Sequence, residues 1–109
     1  MAPIDKDGDM LRITKDGGPV VRLRVAGELD LNTSGQLADA VRAAVDEPGF
    51  QQLDVDLGAV TFLDSSGLRA LVLGHTAARK RGGNLTTVNV PANIRRTMDI
   101  TGLSDVLIG

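Results

Sequence analysis

The run Leu63-Asp64-Ser65-Ser66-Gly67-Leu68 holds the residues best suited to chemistry. It lies where an alternating, strand-like pattern gives way to a helical one. Two hydroxyls and a carboxylate therefore fall at a predicted helix N-terminus. There the first backbone N–H groups lack partners and the helix dipole is positive, an environment that suits a phosphate. Three roles are open for Ser65 and Ser66: nucleophile, phosphate acceptor, or helix cap.

A serine nucleophile needs a base within hydrogen-bond reach. The single histidine, His75, is ten residues beyond Ser65 on the same predicted helix. At ~1.5 Å per residue that is roughly 15 Å along the axis. The Gly-x-Ser-x-Gly elbow is also missing, since Leu63 and Asp64 stand two places before the serines. No catalytic residue is assigned, and His75 is expected to be a partly buried packing residue.

Metal and nucleotide sites are equally poorly supported. Asp5-Lys6-Asp7-Gly8-Asp9 has the start of a calcium loop, but Met10 occupies the sixth position, where glycine belongs. Asp54 and Asp56 share a strand face without an evident third ligand. No phosphate-cradling glycine motif is present, and Gly17-Gly18 and Gly82-Gly83 read as turns. Arg79-Lys80-Arg81 and Arg95-Arg96 read as solvated helix faces. Neither a metal nor a cofactor is expected. One cap needs one capping residue, so Asp64-Ser65-Ser66 followed by glycine exceeds the structural need.

The chain that must position this run has 109 residues, enough for one domain with its own core. Its net charge is −2 and it has two phenylalanines with no tyrosine or tryptophan. That composition argues against nucleic acid, because there is neither a basic field nor a stacking platform. Cysteine is absent, which excludes disulfides and thiolate chemistry. The apolar runs fall short of the ~20 residues that span a bilayer, so no membrane partner is expected. The acidic start lacks the features of a secretory signal, and a cytoplasmic location is expected.

Residues 1–9 read as a flexible tail. Leu11 and Ile13 alternate with Arg12 and Thr14, and Val21, Leu23 and Val25 with Arg22 and Arg24. With Asp16-Gly17-Gly18-Pro19 between them, these predict a hairpin. Thr33-x-x-Gln36 predicts a capping box. Leu37, Ala40, Val41, Ala44 and Val45 then predict a helix stopped by Pro48-Gly49. Leu53, Val55 and Leu57 alternate with Asp54 and Asp56, a third strand whose carboxylates could pair with the arginines of the second. Residues 58–64 read as a short connection. A second helix carries Leu68, Leu71, Val72 and Ala78, and ends at Gly82-Gly83. Leu85 to Val90 predicts a fourth strand. Pro91 fits the first turn of a third helix with Ile94 and Met98. It closes at Gly102-Leu103, and Val106-Leu107-Ile108 is a short apolar end. The order ββαβαβα is that of an α/β domain with at least one right-handed crossover. Strict alternation further implies that one sheet face meets helices and the other meets water.

Three separated motifs resemble those of a known family. Phe62-Leu63-Asp64-Ser65-Ser66-Gly67-Leu68 resembles the phosphorylation loop of the anti-sigma factor antagonists, the stand-alone bacterial STAS domains. Gly27-Glu28-Leu29-Asp30 resembles that family's loop after the second strand. Asp99-Ile100-Thr101-Gly102-Leu103 resembles the closing motif of its last helix. The resemblance implies a single STAS domain over residues 1–109, a mixed four- to five-stranded sheet with helices mainly on one face. It implies a protein-binding regulator rather than an enzyme, with Ser65 as the phosphate acceptor. The implied partners are an anti-sigma factor with serine kinase activity and a phosphatase for the phosphorylated form. Asp30, Thr33, Asp64, Ser65, Ser66, Gly67, Leu68 and Arg69 are the implied contact residues, together with the exposed side of the second helix. Arg69 departs from the pattern, standing where many relatives have a small residue. Val90 does as well, where a capping serine is common before Pro91. The competing expectation is a STAS domain on a non-kinase partner, in a signalling or lipid-transport assembly, with Ser65 structural.

Overall fold

The computed structural model describes residues 11–108. The tail over residues 1–9 and the calcium-like Asp5–Asp9 run lie outside the described residues. Strand β1 (Leu11–Asp16) and strand β2 (Val20–Leu29) form the expected hairpin, antiparallel. Helix α1 (Ser34–Val45) then leads to strand β3 (Gln52–Leu63), parallel to β2. Helix α2 (Ser65–Lys80) leads to strand β4 (Asn84–Val88), parallel to β3. Helix α3 (Ala92–Thr101) and the short helix α4 (Ser104–Leu107) follow. The described sheet has four strands in the order β1-β2-β3-β4, so two successive βαβ crossovers build its parallel part.

The two-residue alternation of the strands decides which face is covered. Val21, Leu23 and Val25 of β2, Leu53, Val55 and Leu57 of β3, and Leu85 of β4 are buried. They meet Leu37, Val41 and Ala44 of α1 and Leu71 and Ala78 of α2 in one apolar core. The opposite face is polar and solvated. There the Arg22 guanidinium lies 3.6 Å from Asp54 and 4.0 Å from Asp56. Arg24 turns instead to Asp16 of the hairpin, at 2.7 Å. The cross-strand pairing expected from the charge pattern is thus made by one arginine of the two.

Several boundaries differ from the sequence expectation. The connection expected over residues 58–64 is strand: β3 continues to Leu63. The alternation is broken because the β2–β3 register shifts twice, between Arg24 and Ala26 and between Gly27 and Glu28. Such irregularities bend a strand and disturb its in–out pattern. Gly27, at φ 113°, supplies a backbone conformation that a side chain would resist. Helix α1 ends at Val45, before Pro48-Gly49. Strand β4 ends at Val88, and Pro91 is the N-cap of α3 rather than part of its first turn. With proline, which has no side-chain acceptor, at the N-cap, that helix start has no side-chain cap hydrogen bond. The apolar end is the helix α4, held to the sheet by the buried Thr87 hydroxyl, which donates to the Leu107 carbonyl at 3.0 Å. Among the described residues no helix is long and apolar enough to cross a membrane.

Candidate functional site

Leu29 and Leu63 are register partners at the ends of the parallel strands β2 and β3. The residues that follow them, Asp30 and Asp64, therefore emerge side by side although far apart in sequence. Loops at the carboxyl ends of parallel strands are where α/β folds usually place ligands. The Asp64 N–H donates to the Leu29 carbonyl at 3.1 Å, tying the two loops together.

Asp64 is the N-cap of α2. Its carboxylate accepts from the Ser66 N–H at 2.8 Å and the Gly67 N–H at 3.2 Å. Two of the amides that could have met an anion are thereby occupied by the chain's own carboxylate. Ser65, the first residue of the helix, is left exposed, and Ser66 is half-buried. The tripeptide thus divides its work: the Asp64 carboxylate caps and Ser65 stays exposed.

The capping box expected at Thr33-x-x-Gln36 does not form. Thr33 precedes α1, but its side chain makes no cap hydrogen bond. Its buried hydroxyl donates to the Glu28 carbonyl at 2.7 Å and accepts from the Asp30 N–H at 2.9 Å. Gln36 reaches across to the Leu11 carbonyl at 3.1 Å. Asp30 organises the helix entry in their place, accepting from the Asn32 N–H at 3.0 Å and the Thr33 N–H at 3.2 Å. The preceding loop claims the Thr33 hydroxyl and the distant Leu11 carbonyl claims Gln36, so the local box does not form.

Burial separates the expected contact residues into two groups. Ser65 and Arg69 are exposed, and Asp30, Asp64 and Ser66 are half-buried. Thr33, Gly67 and Leu68 are buried, and of these three Leu68 reaches the surface groove beside Ser65. Thr33 braces the Asp30 loop. Gly67 lets α2 approach β2, because a Cβ there would lie 2.7 Å from the Leu29 carbonyl oxygen. Leu68 is the floor of a shallow groove of about 360 Å³ beside Ser65. Arg69, Val72 and Leu73 of α2 line one side of it, with Thr101 and Leu103 on the other. The closing motif of α3 therefore meets the serine loop, and all three sequence motifs converge at one end of the molecule.

Sequence patterning missed the exposed apolar residues of this region. Leu73 is 54% exposed at the groove, and Ile100, next to the lining residue Thr101, is 78% exposed. Leu31, in the Asp30 loop, is 76% exposed. Ile100 lies in the closing motif and Leu31 directly after Asp30, while Leu73 follows Leu71 and Val72 off the buried stripe, so core periodicity marks none of them. His75 is half-buried on α2, in keeping with a packing role. Among the described residues, no cluster of histidine and carboxylate side chains is suited to a metal ion.

The chain and its fold are similar to known proteins. Residues 13–109 match the family model described as Mlab, STAS domain. The anti-sigma-B factor antagonist of Staphylococcus epidermidis is 34% identical over 85 residues, 78% of each chain. That of Bacillus subtilis is 29% identical over 87 residues, 80% of this chain and 78% of the relative. The crystal structure of an anti-sigma factor antagonist from Mycobacterium paratuberculosis superposes with a TM-score of 0.78 at 31% identity, over 91% of this chain and 84% of that one. The anti-sigma factor antagonist SpoIIAA in its unphosphorylated form shares the fold, with a TM-score of 0.76 at 18% identity over 90% and 85%. A match over nearly the whole described chain establishes that the protein belongs to the STAS domain family, in which its relatives include anti-sigma factor antagonists.

Proposed function

We propose that this protein is a partner-switching anti-sigma factor antagonist. In this reading its unphosphorylated form binds an anti-sigma factor with serine kinase activity and so frees the sigma factor. The kinase then transfers the γ-phosphoryl group of ATP to the Ser65 Oγ. An Oγ–P bond forms, the bond to the β-phosphate oxygen breaks, and ADP and the hydroxyl proton leave. The phosphorylated form dissociates, and a serine phosphatase restores it by hydrolysis. Such partners act in the cytoplasm, which is the location this reading assigns.

The observation that carries the reading is the exposure of Ser65 on a backbone held by the Asp64 cap, next to an apolar groove. A kinase needs the hydroxyl outward, and a docking face needs apolar area beside it. Phosphorylation adds roughly −1.5 to −2 charge. Charge mismatched across an interface costs on the order of several kcal/mol, and each ~1.4 kcal/mol is tenfold in affinity. The modification falls outside the core, so binding is lost while the fold remains. SpoIIAA, which has this fold, is known in both an unphosphorylated and a phosphorylated form.

The test is incubation with candidate anti-sigma kinases and ATP, read by intact mass for the wild type, Ser65→Ala and Ser66→Ala. One added phosphate on the wild type and Ser66→Ala, and none on Ser65→Ala, is expected. A kinase that binds the protein without modifying it would favour a STAS module for a non-kinase partner instead.

A further inference from the structure

We infer that Arg69 is a built-in counter-ion for phosphorylated Ser65, so that one modification both adds an anion to the docking face and withdraws a cation from it. This rests on the reading of Ser65 as the phosphate acceptor. Three observations lead to it. Ser65 and Arg69 are four residues apart on α2, the spacing at which helical side chains are neighbours. Both are exposed, and both line the same groove, where Arg69 is the sole charged side chain. Among the described residues Arg69 makes no ion pair with a carboxylate, as is also true of Arg12, Arg79, Arg95 and Arg96, but of these five Arg69 alone lines the groove with Ser65.

The Asp64 cap leaves fewer amides for the phosphate, so a side-chain cation gains weight. A phosphate at the start of a helix ordinarily draws on free backbone amides. Here the Ser66 and Gly67 amides already serve the Asp64 carboxylate, which also adds a like charge beside the modified serine. One turn on, the guanidinium offers a planar fork that suits phosphate oxygens. Before phosphorylation that fork stands at the groove rim, open to a carboxylate of the partner. Afterwards it is engaged by the protein's own phosphate.

The test places phosphoserine at position 65 during translation, so that no kinase is needed. Phosphorus NMR then follows the phosphate through its second ionisation in the wild-type, Arg69→Gln and Arg69→Lys backgrounds. The midpoint is expected about 0.5 pH unit lower with arginine than with glutamine, the scale of an exposed ion pair, and intermediate with lysine. Equal midpoints in all three would overturn the inference. Since the phosphate is installed directly, this result is independent of whether a kinase acts on Ser65, which the mass assay decides. With a kinase partner in hand, the affinity ratio of unmodified to phosphorylated protein should shrink about three- to tenfold in Arg69→Gln, and an unchanged ratio would remove the proposed withdrawal of the cation.

Discussion

Gly67 rests against Leu29 so closely that a single methyl group would stand 2.7 Å from the Leu29 carbonyl oxygen and 2.8 Å from its Cγ. The same carbonyl accepts the Asp64 N–H. The start of α2 is therefore seated directly on the end of β2, and the position of Ser65 depends on that contact. Gly67→Ala should push the helix start off the strand. A loss of about 1–3 kcal/mol, the usual range for overpacking, is expected as a lower urea midpoint with an unchanged slope. Unchanged stability would mean that the contact is not tight.

Asp64 should act as a cap that asparagine can largely replace. Asp64→Ala removes the acceptor for the Ser66 and Gly67 amides and should cost about 0.5–2 kcal/mol. Asp64→Asn keeps an acceptor oxygen and should lose much less. Urea unfolding gives the magnitudes, and amide exchange should show the loosening in the first turn of α2.

Thr33 should matter for its hydroxyl rather than for surface contact. Thr33→Val keeps the shape but leaves the Glu28 carbonyl and the Asp30 amide without this partner. The cost should be on the order of 1–3 kcal/mol, with Thr33→Ser retaining most of the stability. Equal losses in the two variants would point to packing of the methyl group instead.

The Arg22 pairing on the open sheet face should contribute little. Its side chain is 38% exposed and its partner Asp54 is 21% exposed, so solvent screens the charges. A double-mutant cycle on Arg22 and Asp54 should give a coupling of about 0–1 kcal/mol that falls with added salt. A larger, salt-independent coupling would indicate a role for this face beyond solubility.

Leu73 and Ile100 should separate binding from folding. Both are exposed beside the serine groove. Leu73→Asp and Ile100→Asp should leave stability within about 0.5 kcal/mol. Each should weaken binding to the anti-sigma factor by tenfold or more, which titration calorimetry would measure. Retained affinity in both variants would move the docking face elsewhere.

Local period and composition were sufficient for the hairpin, the order ββαβαβα with at least one crossover, and the core-facing residues. Leu23, Val55 and Leu71 were legible because a strand repeats every two residues and a helix every 3.6. A cap within Asp64-Ser65-Ser66 was legible for the same local reason, but that Asp64 supplies it, accepting from amides two and three residues away, was decided by the folded structure. The second half of β3 was not legible, because the register shifts opposite Gly27 destroy the alternation that marks a strand. The Thr33–Gln36 box misled, because Thr33 turns back to its own loop, three and five residues away, and Gln36 finds a partner that only folding brings near.

The primary structure by itself determined the strand and helix order, the covered sheet face and a capped serine at a strand–helix junction. These rest on neighbours within a few residues. Tertiary structure alone decided that Leu29 and Leu63 end side by side, that Thr33, Gly67 and Leu68 turn inward while Ser65 and Arg69 stay outside, and that Thr101 and Leu103 complete the groove. Those outcomes depend on strand register and helix seating, which bring together residues that no local pattern connects.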